Sequence, residues 1–191
     1  MKQQPLEITF RQIPRFRDFL VTDCNKVAAA VVRQWPDWPG PYPVLNLIGP
    51  PSSGKSHLAA IWRSHLVECQ ILDRIKPNDM PPGPPFFVLD GVNDFEKWDE
   101  EALFHLFNRC KNEKGGLLIL SEKPVSQIPW RLADLRSRFR SVNVVHIDLP
   151  DDELLFLLLE QFFLERRLVA PKRMLHYLVK RMERSFVAVD N

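Results

Sequence analysis

Short apolar runs alternate with longer amphipathic stretches along this chain, which is the pattern of strands connected by helices. Five apolar runs bounded by polar or turn-forming residues predict strands at 44–48, 71–72, 86–90, 117–120 and 142–147. Helices are predicted at 25–34, from the residues after the first strand to about 68, and at 100–111, 131–139, 152–166 and 171 to the chain end. This order predicts an α/β fold, in which helices cover both faces of a parallel sheet.

Two segments refine the pattern. Residues 76–85 contain five prolines, which exclude a helix or a central strand there and predict a loop. The acidic residues 151–153 precede the long apolar helix, where negative charge suits the positive end of the helix dipole.

The most specific motif lies between the first strand and the second helix. Residues 49–56 read Gly-Pro-Pro-Ser-Ser-Gly-Lys-Ser and fit the pattern G-x-x-x-x-G-K-[ST]. Glycines at both ends allow a tight turn that brings backbone N–H groups to a phosphate, Lys55 would neutralise the β- and γ-phosphates, and Ser56 would place a hydroxyl on Mg²⁺. The predicted phosphate contacts are Gly49, Pro50, Ser52, Ser53, Gly54, Lys55, Ser56 and His57.

Two other strand ends carry polar residues. Asp90 ends a buried apolar strand, where a phosphate-loop enzyme holds its Mg²⁺, although a turn-forming role before Gly91 is the alternative. Gly91 stands where many ATPases have a second acid that orients the attacking water, so the sequence favours nucleotide binding over hydrolysis. Ser121 ends the fourth strand, from which it would reach a γ-phosphate or simply terminate the strand.

Composition narrows the class of protein. The chain has 191 residues, 45% of them hydrophobic, and a net charge of +2, so no strong overall charge points to nucleic acid. Its N-terminus lacks an apolar signal core, and its longest apolar run is too short to cross a membrane. The three cysteines are widely spaced and predict reduced structural thiols. These features predict a cytoplasmic protein without a membrane partner.

Taken together, the motifs resemble the AAA+ ATPase core of the replication initiator DnaA, and within that family the short Hda-type regulators that inactivate DnaA. The resemblance covers roughly residues 10–191. Residues 49–57 match its Walker A motif, 86–90 its Walker B motif, 118–121 its sensor 1 strand, and 135–139 the motif ending in its arginine finger. The family fold implied is a three-layer AAA+ phosphate-loop domain with a short C-terminal helical lid.

The resemblance implies further roles. Arg138 would be an arginine finger acting in trans on a neighbouring subunit's nucleotide, and Asp90 the metal-binding acid beside Ser56. Arg184 would be the sensor 2 arginine over the nucleotide, and Leu20 and Val21 would lie near its adenine. The implied domains are an N-terminal tail at 1–15, a nucleotide-binding domain at 16–149 and a lid at 150–191.

The N-terminal tail has an imperfect version of the sliding-clamp motif that Hda-type proteins carry. Its candidate clamp-binding residues are Gln4, Leu6 and Ile8. The resemblance therefore implies DnaA and the β sliding clamp of DNA polymerase as partners, and it allows a homodimer. Because no helix-turn-helix domain follows residue 191, we expect no sequence-specific DNA binding and a regulator rather than an initiator.

The expected function is that of an ADP- or ATP-binding, Mg²⁺-dependent regulator that stimulates ATP hydrolysis by DnaA together with the clamp. An autonomous AAA+ ATPase, such as a helicase loader, is the alternative, and Gly91 counts against it. Nothing in the chain resembles the acceptor site of a nucleotide kinase.

Overall fold

A computed structural model describes residues 19–186 of the chain. Five parallel strands form one sheet in the order β2-β3-β4-β1-β5. They are β1 (Val44–Ile48), β2 (Gln70–Leu72), β3 (Phe86–Asp90), β4 (Gly116–Ser121) and β5 (Asn143–His146). The α/β class, the parallel sheet and the predicted position of every strand are confirmed, with ends that differ by one residue.

Six α-helices accompany the sheet within residues 19–186. They are α1 (Lys26–Arg33), α2 (Lys55–Ser64), α3 (Glu100–Asn112), α4 (Ala133–Arg140), α5 (Asp152–Glu165) and α6 (Lys172–Val179). Two predicted helix ends are wrong. The second helix ends at Ser64 rather than near 68, and the last ends at Val179 rather than at the chain end, because Lys180–Ser185 turn back towards the start of α5.

Alternating side chains of the central strands point into two separate cores. In β4, Leu118 and Leu120 pack with α1 and α2, whereas Leu117 and Ile119 pack with α3 and α4. All six residues of β4 are buried, as expected of a parallel strand covered on both faces. A third, smaller core joins α5 to α6 through residues such as Leu155 and Leu175. The predicted three-layer arrangement with a helical addition is therefore confirmed.

The proline-rich segment is a loop, as predicted, and one side chain holds it in place. Arg109 of α3 donates hydrogen bonds to the carbonyls of Pro81 and Gly83, and its guanidinium lies over the ring of Phe87. These bonds pair two carbonyls of a loop whose prolines supply no N–H donors.

Cys24, Cys69 and Cys110 are free thiols, as the sequence predicts. Burial raises the pKa of Cys69 to about 11 and that of Cys110 to about 12, so both stay protonated at neutral pH. Within residues 19–186, none of the helices combines the length and apolarity needed to cross a bilayer.

Candidate nucleotide-binding site

The loop between β1 and α2 has two glycines at which a side chain would clash with its neighbours. Gly54 precedes α2 with φ of +89°, a left-handed conformation, and a Cβ there would lie 2.9 Å from Cε2 of Phe19. A Cβ on Gly49 would lie 2.6 Å from Oγ of Ser53. The loop is therefore packed too closely for side chains at either glycine.

Two features of this loop suit an anion. The N-terminus of α2 begins at Lys55, where its unpaired N–H groups and helix dipole favour negative charge. Ser53 is 3% exposed, and its Oγ has no hydrogen-bond partner within the described part of the chain. A phosphate oxygen would satisfy this buried hydroxyl, so the residues present fit the phosphate predicted from the motif.

Lys55 turns its ammonium group onto the loop itself. Its Nζ donates hydrogen bonds to the carbonyls of Gly49, at 2.7 Å, and Pro50, at 2.8 Å. Burial lowers the pKa of Lys55, and the negative charges of Glu122 and Asp90 offset part of that effect. The two acids are therefore close enough to act on the lysine, although the hydrogen bonds of Nζ within residues 19–186 go to the two carbonyls.

A cavity of about 300 Å³ opens beside the loop. One wall comes from Phe19, Leu20 and Asn25, and the floor from Ser52, Ser53, Gly54 and His57. The opposite wall is the face of α5 with the end of the described chain, formed by Leu154, Leu158, Gln161, Phe162, Glu165 and Phe186. A cavity with mixed polar and apolar walls that opens onto a phosphate loop is the kind of site expected for a nucleobase and its sugar.

Leu20 lines this cavity, whereas Val21 is 44% exposed and is not among the residues of its walls. Their contact with an adenine stays a prediction. Sequence reasoning missed the α5 wall. Asn25 shapes the wall indirectly, because its Oδ1 accepts from the N–H of Thr22 and its Nδ2 donates to the carbonyl of Leu20. The apolar residues of α5 predicted a helix, but they did not predict which of its faces would line the cavity.

Asp90 ends β3 in a half-buried position, and its charge acts on Lys55. Ser56, its predicted partner in holding Mg²⁺, is exposed in the first turn of α2. Among residues 19–186, no group of three or more His, Cys, Asp or Glu side chains is placed to hold a metal. A Mg²⁺ ion here would instead take one or two protein oxygens and the phosphate oxygens, which is its usual mode with nucleotides.

Gly91 has φ of +78°, and a Cβ built on it would meet no atom within 4 Å. Space is therefore available for an acid after Asp90, but the backbone is one that L side chains rarely adopt. The acid nearest in effect to Lys55 is Glu122, a residue that the sequence did not single out. It follows β4 and is exposed, and its N–H donates to Oδ1 of Asn93.

Ser121, the predicted γ-phosphate contact, is 2% exposed and takes part in a buried network. Its Oγ lies 2.8 Å from Nδ2 of Asn46. That nitrogen also donates to the carbonyl of Ile119, and Oδ1 of Asn46 accepts from the N–H of Val125. The observed contacts of Ser121 are thus with the sheet, and its reach to a phosphate stays a prediction.

The sequence of this chain is similar to that of a known replication initiator. The chain is 25% identical to the chromosomal replication initiator protein DnaA of Leptospira biflexa over 92% of its own length and 47% of that protein. It therefore spans about half the length of the curated relatives it matches. No protein-family model matches the chain.

Solved structures agree on the fold. AMPPCP-bound DnaA from Aquifex aeolicus superposes with a TM-score of 0.71 and 17% identity, over 96% of this chain and 64% of that one. Domain III of DnaA from Thermotoga maritima gives a TM-score of 0.69 and 16% identity, over 93% of this chain and 85% of that one.

This chain resembles DnaA in sequence and in fold.

The structural likeness confirms the predicted AAA+ fold. The same fold is shared with the RuvB Holliday junction branch migration motor of Thermotoga maritima, at a TM-score of 0.67 and 17% identity, over 92% of this chain and 61% of that one. The comparisons do not reach the individual site residues, which remain predictions.

Arg138, which the DnaA resemblance predicts to be the arginine finger, lies in the last turn of α4. The side chain is half-buried, and its Nη1 donates a hydrogen bond of 2.8 Å to the hydroxyl of Tyr42. Its guanidinium also lies 5.4 Å from the ring centre of Tyr42 and 6.0 Å from that of Phe107. Arg136 and Arg140 are exposed on the same helix. Arg138 is therefore the arginine of α4 that is held in one direction.

Arg184 is the arginine that the DnaA resemblance predicts to lie over the nucleotide, and this role stays a prediction. Its Nη2 lies 2.8 Å from Oδ1 of Asp152 at the start of α5, and the residue is not among those lining the cavity. The cause is the turn after α6, which returns the chain to α5 and packs Phe186 against the cavity wall. The candidate clamp-binding residues Gln4, Leu6 and Ile8 lie outside the described residues.

Proposed function

We propose that this protein binds ADP or ATP, with Mg²⁺, between the phosphate loop and α5. The observation that carries the proposal is the continuity of the site. The buried Ser53 hydroxyl and the α2 N-terminus suit phosphates, and the cavity between Leu20 and Leu158 suits a base. Structures of DnaA with the ATP analogue AMPPCP support the same kind of ligand.

Calorimetry with ADP and ATP tests this proposal directly. We expect saturable binding of both nucleotides by the wild-type chain. Absence of binding with either nucleotide, in the presence of Mg²⁺, would overturn it.

The proposed role of the nucleotide-bound protein is regulation of replication initiation in the cytoplasm, through DnaA and the β sliding clamp. Gly91 supports a regulator over an enzyme, because it supplies no carboxylate to orient water. Arg138 supports an action in trans, since a guanidinium has five N–H donors and the bond to Tyr42 uses one of them. The remaining donors would stabilise the charge on a phosphate bound to DnaA, as an arginine finger does.

ATP turnover by DnaA, with and without this protein and the clamp, tests the regulatory role. Arginine fingers supplied in trans contribute about 10³- to 10⁵-fold in rate. Arg138→Ala should therefore lose most of the stimulation while still binding nucleotide. Arg136→Ala is the matched control, because it removes an exposed arginine from the same helix. Equal stimulation by Arg138→Ala and wild type would contradict the arginine-finger role.

Glu122 favours a second candidate function, an autonomous AAA+ ATPase or loader. Its charge acts on Lys55, so it stands near the phosphate loop despite the glycine at position 91. A carboxylate in that place could orient water in the chain's own site. Turnover of about 1 per second or more by the isolated protein, lost in Glu122→Gln, would favour this reading over the regulator.

A further inference from the structure

The cavity depends on how the segment 19–25 and α5 are held apart, since each supplies one of its walls. Few polar contacts join them. The N–H of Cys24 donates to Oδ2 of Asp151 at 3.1 Å, and the carbonyl of Cys24 accepts from the N–H of Asp148 at 2.9 Å. Both contacts meet at Cys24, which is buried.

Asp151 bonds to α5 as well as to the segment 19–25. It is the N-cap of α5, and its Oδ1 accepts from the N–H of Leu154 at 2.7 Å. The two oxygens of one carboxylate therefore bond to the two walls of the cavity. Leu154, the residue that Asp151 caps, is itself part of the lining.

Hydrogen bonds of Asn25 hold the segment 19–25 in one conformation. Asn25 closes the turn between Leu20 and Asn25 through two hydrogen bonds, one to the N–H of Thr22 and one to the carbonyl of Leu20. Thr22, Cys24 and Asn25 are all buried. A shift of Cys24 relative to Asp151 would therefore move Leu20 and Asn25 together, and both line the cavity.

We propose that Asp151 is a positioning residue for the bound nucleotide, which sets the spacing between the 19–25 wall and the α5 wall around the base and sugar. The proposal rests on the proposed nucleotide site. It predicts that Asp151 affects the part of a ligand that lies between these walls, and leaves the phosphates on the loop unaffected.

The charge of Asp151 suits this task. Burial acts against the carboxylate, but hydrogen bonds from Leu154, Thr22 and Cys24 outweigh it, so the pKa of Asp151 is lowered. The group is ionised at neutral pH and accepts with both oxygens. An amide in its place has one oxygen and would present N–H₂ to one of the two N–H donors.

Asp151→Asn and Asp151→Ser are the test variants, because Asn and Ser both keep a good N-cap while removing the second acceptor. Asp99 provides a matched control. It is the N-cap of α3 and accepts from the N–H of Ala102 at 2.9 Å, but it does not line the nucleotide cavity. Asp99→Asn therefore reports on an aspartate cap alone.

The experiment compares binding of ATP with binding of inorganic tripolyphosphate, which occupies the loop without a base or sugar. Both Asp151 variants should weaken ATP binding by about tenfold, since a bond to a charged acceptor is lost, and leave tripolyphosphate binding unchanged. Asp99→Asn should change neither. Wild-type ATP affinity in both Asp151 variants, or an equal loss for ATP and tripolyphosphate, would overturn the positioning role.

Lys55→Ala separates this failure from failure of the nucleotide site itself. If wild type binds ATP and Lys55→Ala does not, the site stands whatever the Asp151 variants show. If wild type and Lys55→Ala behave alike, the site is wrong and the inference fails with it.

Discussion

Lys55→Met should separate the binding role of this lysine from any role in folding. Methionine keeps most of the apolar stem and removes the ammonium group, which bonds to the carbonyls of Gly49 and Pro50. A unit charge about 4 Å from one phosphate charge, at an effective dielectric constant of about 20, contributes about 4 kcal/mol. Nucleotide affinity should therefore fall about 10³-fold.

The stability of the nucleotide-free protein should change far less. Two hydrogen bonds are lost, but the cost of burying the charged amine is lost with them, so we expect the free energy of unfolding to stay within about 1 kcal/mol of wild type at pH 7. Because folding lowers the pKa of Lys55, the burial cost is present in full below the folded-state pKa. It disappears as pH rises above the ordinary lysine value of about 10.4.

Calorimetry with ATP and urea unfolding measure the two quantities on the same samples. The control is Lys76→Met, which removes the same charge from an exposed position in the proline-rich loop. Affinity within tenfold of wild type in Lys55→Met would refute the electrostatic argument. Loss of binding together with several kcal/mol of stability would show that the variant had lost the loop rather than the charge.

Two further predictions concern position 91 and the N-terminus. Gly91→Glu should cost about 1–2 kcal/mol in urea unfolding, because φ of +78° strains any L side chain, even though the Cβ meets open space; a more stable variant would contradict this backbone argument. Replacing the three candidate clamp residues with Ala should weaken capture by the β sliding clamp without changing nucleotide affinity, and equal capture would place the contact elsewhere; they are Gln4, Leu6 and Ile8.

The sequence by itself determined the features that depend on neighbouring residues. The glycines at 49 and 54, Lys55 and the start of α2 are contiguous, so their pattern specifies a phosphate loop before any packing is known. Asp90 could be predicted for the same reason, since a buried strand ends at it. The acids at 151–153 predicted a helix start, and Asp151 is the N-cap observed there.

Only the tertiary structure decided how distant segments meet. Because β4 lies between β3 and β1, Glu122 comes close enough for its charge to act on Lys55, although 66 positions separate the two residues in the sequence. The turn after α6 brings Arg184 to Asp152, a pairing that the sequence did not predict. The hydrogen bond from the N–H of Cys24 to Oδ2 of Asp151 likewise forms only in the folded chain. Local motifs are specified by backbone preference and short-range bonding, whereas cavity walls and charge partners depend on how helices pack on the sheet.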